Sequence, residues 1–430
     1  MCREQKSQAH QTDADNVEKD KKLRQGILYG SISLGLLVLA PSLTMPHLQS
    51  RRDSLGCNSM CYGSFTSTRS LLALIGSAVM GRFSDSVGSN GRKGSLYIGN
   101  VATLMGMILA GKTTSIEGLW ISMIPGAVFQ QGFSIFKALY SDYHEEVGSS
   151  SAKRAASVGT LGMTVGLAFM TGPIIGSTLL NSFEQANTTG IAMVLLSTWF
   201  VGQLPSPTVK TTKKGPHRPG VFAFLNVAAA RTPAALLLMV VRMLMALAFH
   251  IFQTIWTTSL QERFNFGPAD HGKFMSFIGL TYALSQGFLS KVLLENLGGN
   301  VSFTARVRMI QGCCFILAVG RCAAFQTSSL GVIYGIFALI VSALGLINTI
   351  LTSDTTHLAS SDEIGSLFGI LAAVESAAGL VGPIIGGSLA LYVHPIRAPL
   401  MAVLAAYSVV FFLISWRYEK LVLQASKVKL

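Results

Sequence analysis

Charged residues are scarce in this chain of 430 residues, since Asp, Glu, Lys and Arg together make up only 12% of it. A soluble globular domain carries about 25% of such residues, so the composition excludes a protein whose whole surface faces water. Hydrophobic residues make up 50% of the sequence, and the mean hydropathy is +0.50. The sequence therefore indicates an integral membrane protein.

Several site motifs are also missing. No phosphate-binding Gly-x-x-x-x-Gly-Lys-Ser/Thr sequence occurs, so the energy source is expected to be an ion or solute gradient rather than ATP. The six cysteines show no metal-ligand spacing, and we favour free thiols over a disulfide for Cys57 and Cys61. No apolar run carries paired acids with a histidine, or a Cys and His set, so we expect no enzyme activity, cofactor or metal.

Long apolar runs recur along nearly the whole chain, and most have the ~20 residues that a helix needs to cross a ~30 Å hydrocarbon core. They predict an all-α membrane protein with twelve transmembrane helices. The predicted spans are residues 26–48, 59–81, 94–112, 117–140, 154–180, 186–203, 233–260, 273–296, 305–325, 328–352, 363–391 and 396–416.

The distribution of positive charge predicts the orientation. With twelve spans both termini share a side, and that side carries about 23 Lys and Arg against about 6 on the other. Both termini are therefore predicted to be cytoplasmic. The net charge of +13 then reflects orientation, and we expect no nucleic-acid partner.

Asn187 begins an Asn-Thr-Thr sequon, but its predicted outer loop is short and close to the bilayer, which disfavours glycosylation.

An internal repeat divides the chain. The sequence Gly-Pro-Ile-Ile-Gly occurs at residues 172–176 and again at 382–386, which is 210 positions later, and a Ser-Asp pair precedes each copy. A repeat of about half the chain predicts two pseudo-symmetric six-helix bundles. The predicted parts are a cytoplasmic N-terminal tail (1–25), a first bundle (26–203), a cytoplasmic linker (204–232), a second bundle (233–416) and a cytoplasmic C-terminal tail (417–430).

A glycine-rich loop with charged residues follows the second span. It contains Gly81, Asp85, Gly88, Arg92 and Lys93. Together with the Gly-Pro repeat, this loop resembles the signature of the major facilitator superfamily, over residues 26–416. The resemblance implies that Asp85 faces Arg92 and that the loop stabilises the outward-open state by contact with the start of the eleventh span, near Glu363 and Gly365. Ser86 departs from the pattern, because the family usually has a basic residue there.

The fifth span resembles the antiporter signature of the same superfamily. Small residues three or four apart let a neighbouring backbone approach closely, and proline adds a bend. The residues that carry this role in the two copies are Gly159, Gly162, Gly166, Gly172, Pro173 and Gly176, and then Gly382, Pro383 and Gly386. Within the superfamily the sequence is most similar to the drug and proton antiporters of the tetracycline-efflux and organic-cation-transporter-like group.

Two departures from that group bear on its substrate. The first span, residues 26–48, has no acidic residue, and Val128 stands where many members have an arginine four residues before Gly132. Export of cations through the usual coupling residues is therefore not supported.

Ionisable side chains near the bilayer midplane are functional candidates, because burying them is costly. Arg69, Arg242 and Glu375 lie at that depth. We predict a state-dependent ion pair between Arg69 and Glu375 across the interface of the halves, with Arg242 as the alternative partner of Glu375. Lys137 and Arg321 lie nearer the ends of their spans, where long side chains can reach the interface.

Uncharged polar residues and one histidine complete the candidate site. They are Gln131, His250, Tyr282, Gln286 and Asn348. Each either lines a solute cavity or joins helices by hydrogen bonds, and for His250 we favour a structural role over proton relay.

The sequence as a whole predicts a secondary-active transporter that works by alternating access on a small organic solute. Proton-coupled antiport or efflux through Glu375 is expected, because a carboxylate whose exposure changes can alternate between charged and neutral forms. Two midplane arginines against one carboxylate favour an anionic or zwitterionic solute. The expected partners are the lipid bilayer, the solute and protons. The alternatives are a non-transporting membrane receptor or scaffold on the same fold and, less favoured, a lipid-modifying enzyme.

Overall fold

The computed structural model describes residues 2–86, 90–148, 151–206, 229–297, 302–356, 358, 364–418 and 420–421. These residues form helices and short connections, with no strand among them. The helices are α1 (Cys2–Ser54), α2 (Ser59–Ser86), α3 (Gly91–Lys112), α4 (Ile116–Phe129), α5 (Gly132–Glu146), α6 (Ser151–Thr178), α7 (Phe183–Gln203), α8 (Pro233–Phe264), α9 (Pro268–Leu284), α10 (Ser290–Asn296), α11 (Phe303–Gln326), α12 (Leu330–Thr356), α13 (Ile364–Tyr392) and α14 (Arg397–Leu413).

Helical structure occupies each of the twelve predicted spans, so the all-α membrane fold is confirmed. Among the described residues, nine helical segments are long and apolar enough to cross a membrane by length and composition. The helices α2, α7 and α9 with α10 fill the other three spans without meeting that criterion. Large apolar side chains such as Leu179 and Phe288 are 71% and 68% exposed, as expected for a surface that faces lipid.

The fourth predicted span is interrupted, which corrects the continuous helix predicted over 117–140. Gln130 and Gln131 leave the helical conformation between α4 and α5. Glycines of two other helices pack against the break, since a Cβ atom added at Gly99 would lie 3.2 Å from the carbonyl oxygen of Phe129, and one at Gly76 would overlap the carbonyl of Val128. This packing depends on residues distant in sequence, so local hydropathy does not reveal it.

The chain forms two compact units. The first comprises Met1–Leu48 and Ile75–His217, and the second comprises Gln49–Leu74 and Arg218–Leu430. The core of the first unit is centred on side chains such as Leu34, Leu139 and Tyr140. In the second unit an aromatic group fills the core, where the rings of Phe252 and Trp256 stack with their centroids 5.6 Å apart.

The two Gly-Pro copies pack in the same way within their own units. In the first unit, Gly172 and Gly176 of α6 lie directly against Ser42 and Leu43 of α1. His47 of α1 also donates from Nε2 to the carbonyl oxygen of Gly176 at 2.8 Å. The predicted packing role is therefore confirmed for this copy.

In the second unit, Gly382 and Gly386 of α13 lie against α8. A Cβ atom at Gly382 would lie 2.8 Å from the Cβ of His250, and one at Gly386 would lie 3.0 Å from the carbonyl oxygen of Ile251. By contrast, a Cβ atom at Gly162 or Gly166 would meet nothing within 4 Å, so these two glycines make no such contact within their unit.

Two expectations about the predicted outer loops can be compared with the structure. Cys57 and Cys61 form a disulfide with a Cα to Cα distance of 5.3 Å, so the prediction of free thiols is wrong. The side chain of Asn187 is 5% exposed, and its amide nitrogen donates to the carbonyl oxygen of Met107 at 2.9 Å. In the folded structure the sequon amide is therefore buried and joins α7 to α3.

Candidate functional site

A polar cluster inside the second unit is centred on Arg242 of α8. Its Nη1 donates to the side-chain oxygen of Asn348 at 3.1 Å and to a carboxylate oxygen of Glu375 at 3.3 Å. Its Nη2 donates to the hydroxyl of Thr352 at 2.8 Å. Arg242 therefore joins α8 to α12 and α13.

The cluster continues to α9 and the π-helical segment after it, Ser285–Leu289. Asn348 donates from Nδ2 to the phenol oxygen of Tyr282 at 3.2 Å, and Gln286 donates to the same oxygen at 2.9 Å. Six side chains thus form one network, called the Arg242 cluster below: Arg242, Tyr282, Gln286, Asn348, Thr352 and Glu375. All except Thr352 are candidates from the sequence.

The sequence brings these side chains together through helix periodicity and close packing. Asn348 and Thr352 are four residues apart on α12 and therefore lie on the same face. The glycines of α13 bring that helix close to α8, and both helices run in the same direction, because Arg242 contacts Glu375 and Ile251 contacts Gly386 further along. This packing places Glu375 at the level of Arg242.

The ion pair between Arg242 and Glu375 is accessible rather than sealed. The side chain of Glu375 is 43% exposed and that of Arg242 is 12% exposed. Because Glu375 is only partly covered by the protein, its carboxylate can be reached from outside the helix contact. The Nε atom of Arg242 is buried and has no hydrogen-bond partner among the described residues.

In this structure Glu375 pairs with Arg242 and not with Arg69, the partner predicted for one state of the protein. The side chain of Arg69 is exposed, and no carboxylate in the described part of the second unit pairs with it. The neighbouring residue, Ser70, approaches Gly379, which is one helical turn beyond Glu375 on α13. Similar depth in the membrane was therefore an insufficient guide, because the α8 packing presents Arg242 to the carboxylate instead.

His250 has a packing role in this structure. The imidazole lies beside Gly379, where a Cβ atom would be 3.1 Å from its Nε2, and edge-on to Phe249 at 5.3 Å between ring centroids. Among the described residues no hydrogen bond to the imidazole is found. His250 and Gly379 thus contribute to the contact of α8 with α13, two turns along α8 from Arg242.

Candidates in the first unit belong to the interrupted fourth span. Gln131 lies at the break itself, and the side-chain oxygen of its neighbour Gln130 accepts from the backbone N–H of Gly132 at 2.8 Å. The ammonium of Lys137 lies over the ring of Phe133, 4.0 Å from the centroid. Phe133 is one turn before Lys137 on α5, and Lys137 is exposed, so the predicted contact of Lys137 with the membrane interface stays a prediction.

The basic residues of the loop signature make firm contacts. Arg92 of α3 pairs with Asp142 of α5, with Nε 3.1 Å from a carboxylate oxygen, and it donates to Ser84 at 2.9 Å. Lys93 donates to the carbonyl oxygens of Gly202 and Leu204 at 3.1 and 2.7 Å. These carbonyls end α7, a position that favours a cation.

The remaining residues of that signature give less information. A Cβ atom at Gly81 of α2 would meet nothing within 4 Å, so this glycine makes no close packing contact. The side chain of Asp85, and the residues Gly88 and Glu363, lie outside the described residues, so the predicted Asp85 contact stays a prediction.

The second unit contains an ion pair equivalent to that of Arg92. Arg306 of α11 pairs with Asp354 at the end of α12, and the Tyr418 hydroxyl donates to the same carboxylate at 2.6 Å. Sequence analysis found the repeated Ser-Asp pairs but missed this arginine. The available signal was its spacing, because Arg306 follows Arg92 by 214 positions, close to the repeat offset.

Comparison with known proteins identifies the fold and the relatives. The profile of the Major Facilitator Superfamily matches residues 26–383. The human solute carrier family 67 member A1 is 24% identical over 322 residues, which cover 70% of this chain and 73% of that protein. The mouse solute carrier family 22 member 18 is 23% identical over 280 residues, which cover 62% of this chain and 67% of that protein.

Solved structures agree with this assignment of the fold. The human organic anion transporter MFSD10 superposes with a TM-score of 0.66 at 19% identity, over 91% of this chain and 99% of that one. The nucleoside transporter NupG gives a TM-score of 0.66 at 14% identity, over 90% and 97% of the two chains. Identities this low establish a shared fold and no more.

Proposed function

The chain belongs to the major facilitator superfamily, and from this premise we propose that it is a secondary-active transporter whose Arg242 cluster binds a small organic solute. As a multi-pass membrane transporter it must bind and release its cargo within apolar helices. The observation that carries the proposal is the partly exposed pair of Arg242 and Glu375 within a network of hydrogen-bonding side chains. Charged side chains are costly to place in membrane helices, and those that occur there usually serve a function.

We propose an anionic or zwitterionic solute. In the described part of the second unit, Arg242 is the only partner of Glu375, and Arg69 carries a further charge with no carboxylate paired to it. The membrane-spanning part of this unit therefore carries more positive than negative charge, and a polar site of that sign attracts anions. A solute carboxylate would accept hydrogen bonds from Arg242, and its polar groups would bind Asn348, Tyr282 and Gln286.

The coupling ion is proposed to be the proton, with Glu375 as its carrier. When Glu375 is charged it competes with an anionic solute for Arg242, and when it is protonated it releases Arg242 to the solute. Proton and anion then bind together, which supports symport. The antiport expected from the sequence requires the opposite, namely a cationic group of the solute that displaces the proton from Glu375.

A thermal-shift screen of the purified full-length protein tests the proposed solute class. Organic anions and zwitterions should raise the melting temperature more than organic cations. Arg242→Met should weaken binding of the best compound by about tenfold or more, because it removes a charge-assisted hydrogen bond. The matched control is Arg397→Met, which removes an exposed arginine outside the cluster and should leave binding unchanged.

Two results would contradict the proposed solute class. One is stabilisation by lipophilic cations with no response to anions. The other is an anion response that Arg242→Met and Arg397→Met reduce equally, which would show that the effect depends on overall charge.

A further inference from the structure

Arg52 lies in the last turn of α1, and its charge has no ion-pair partner among the described residues. Its guanidinium carbon lies 4.1 Å from the ring centroid of Phe65 and 5.8 Å from that of Tyr62, both on α2. The neighbouring Asp53 acts on it electrostatically but is not within ion-pair distance. Aromatic faces and the end of a helix attract a cation. Neither accepts the proton on Nε of Arg52, which is buried and lacks a described partner.

The corner between α1 and α2 fixes the position of Arg52. Gly56 has a φ of +75°, and the N–H of Cys57 donates to the carbonyl oxygen of Arg52 at 3.1 Å, which closes the end of α1. The side-chain oxygen of Asn58 accepts from the N–H of Cys61 at 2.9 Å and caps α2. The disulfide joins Cys57 to Cys61 across this cap. A short, covalently closed turn therefore holds Arg52 against the first two turns of α2.

Arg69 of α2 extends toward the same place. Side chains on a helix lean toward its N-terminus, so the guanidinium of Arg69 covers the turn around Phe65, over which Arg52 lies. The phenol of Tyr62 lies two turns before Arg69 and acts electrostatically on both arginines, which repel each other. Arg52, Tyr62 and Arg69 therefore converge at the start of α2.

Arg69 faces a recess rather than the outer surface of the protein. It lies deep among protein atoms, and yet its side chain is exposed. Neither its guanidinium nor the hydroxyl of Tyr62 has a hydrogen-bond partner among the described residues. By contrast, Arg321 is 1% exposed and donates to Tyr407, so it faces no such space and does not reach the membrane interface as predicted. The recess beside Arg69 therefore offers donors and positive charge.

We propose that Arg52, Tyr62 and Arg69 form a second anion site, which binds an oxyanion group such as a carboxylate or a sulfate. Guanidinium groups match the paired oxygens of such groups. An oxyanion has several acceptor oxygens, so it can accept from both arginines and from the phenol. Its negative charge would also remove the repulsion between the two arginines.

This second anion site is distinct from the Arg242 cluster. The first half of α2 runs antiparallel to α13, since Met60 contacts Ser388 and Ser70 lies against Gly379. Gly379 is four residues, or about 6 Å, beyond Glu375. Tyr62 and Arg52 lie further still in the same direction. The inference therefore does not depend on the proposed transport function.

Binding of radiolabelled sulfate to the purified full-length protein tests the second anion site. The native protein should bind sulfate saturably. Arg69→Gln should weaken that binding by about tenfold or more, because it removes a charge-assisted hydrogen bond. Arg397→Gln, the matched control at an exposed arginine, should bind sulfate as the native protein does. Arg242→Met should also retain binding, since it alters only the other site.

Tyr62→Phe keeps the ring and removes only the hydroxyl, so it should weaken sulfate binding by about tenfold. The proposal is overturned if the native protein shows no saturable sulfate binding. It is also overturned if Arg242→Met loses the binding while Arg69→Gln retains it, which would assign the anion to the Arg242 cluster. Should Arg69→Gln not fold, native affinity in Tyr62→Phe overturns it. Because the probe is inorganic sulfate, these outcomes are independent of the solute screen.

Discussion

Arg242 and Glu375 are the residues on which the proposed transport mechanism depends. Arg242 donates to three side chains on two other helices, whereas Glu375 accepts from Arg242 alone within the described part of the chain. A change at Glu375 therefore alters one interaction, and a change at Arg242 alters the whole cluster. Changes at Glu375 can therefore test proton coupling while the rest of the Arg242 cluster stays intact.

A charge swap tests whether the pair exists in solution. Arg242→Glu and Glu375→Arg should each lower the melting temperature, because each places like charges side by side. The double variant should recover part of the loss, with a coupling on the order of 0.5–1 kcal/mol for a pair of this exposure. The coupling energy is obtained from the thermal melting of the native protein, the two single variants and the double variant.

The control for this swap is the pair predicted from depth alone. Arg69→Glu combined with Glu375→Arg should show no recovery, because Arg69 does not contact Glu375. The observed pairing would be contradicted if this control swap recovered melting temperature while the effects of Arg242→Glu and Glu375→Arg were strictly additive.

Sequence reasoning at the residue scale finds the right residue types but not their partners. Arg242, Glu375 and Asn348 stand out because polar groups are rare in apolar runs. Thr352 escapes notice because a threonine hydroxyl in a helix can bond to a carbonyl of its own helix and so does not by itself mark a site. The partner of Glu375 depends on which helix lies against α13, and one sequence does not contain that information.

Among the elements, the contact of α8 with α13 positions the Arg242 cluster. Gly382→Leu should lower the melting temperature and impair solute binding, because a side chain there would overlap His250 and push α8 away. Overpacking of this kind costs about 1–3 kcal/mol. The matched control is Gly162→Leu, since open space surrounds that glycine and the substitution should change the melting temperature little.

Thermal melting and ligand binding of both glycine variants test whether the contact of α8 with α13 positions the Arg242 cluster. Equal effects at Gly382 and Gly162 would show that the result reflects general intolerance of glycine substitution and not the α8 contact. A fully tolerated Gly382→Leu would show that α8 and α13 are not in close contact in solution.

Prediction of elements from the sequence succeeds where hydropathy is sufficient and fails where other helices intervene. Spans such as α8 and α12 follow directly from their apolar runs. The break at Gln130 and Gln131 does not, because it is stabilised by Gly76 and Gly99 from other helices. The Gly-Pro copies are recognisable as packing sites because small residues at helical spacing mark a face that another backbone can approach, although the sequence does not say which helix approaches it.

At the scale of the whole molecule, the internal repeat carries most of the information. It predicts two related sets of helices, and the structure shows equivalent Arg to Asp pairs at Arg92 with Asp142 and at Arg306 with Asp354. Equivalent glycine contacts of α6 with α1 and of α13 with α8 follow the same offset. The repeat does not predict the solute site, because the residues of the Arg242 cluster have no counterparts in the first half of the sequence.

The central claim is that Glu375 couples proton movement to solute transport. The most direct measurement uses proteoliposomes containing the native protein or Glu375→Gln, loaded with a solute found in the thermal-shift screen. Accumulation driven by a pH gradient and exchange at equal pH are measured side by side. The native protein should do both, and Glu375→Gln should exchange the solute but fail to accumulate it. Accumulation by Glu375→Gln at the native level would contradict the account, and binding without any transport by the native protein would indicate a receptor instead.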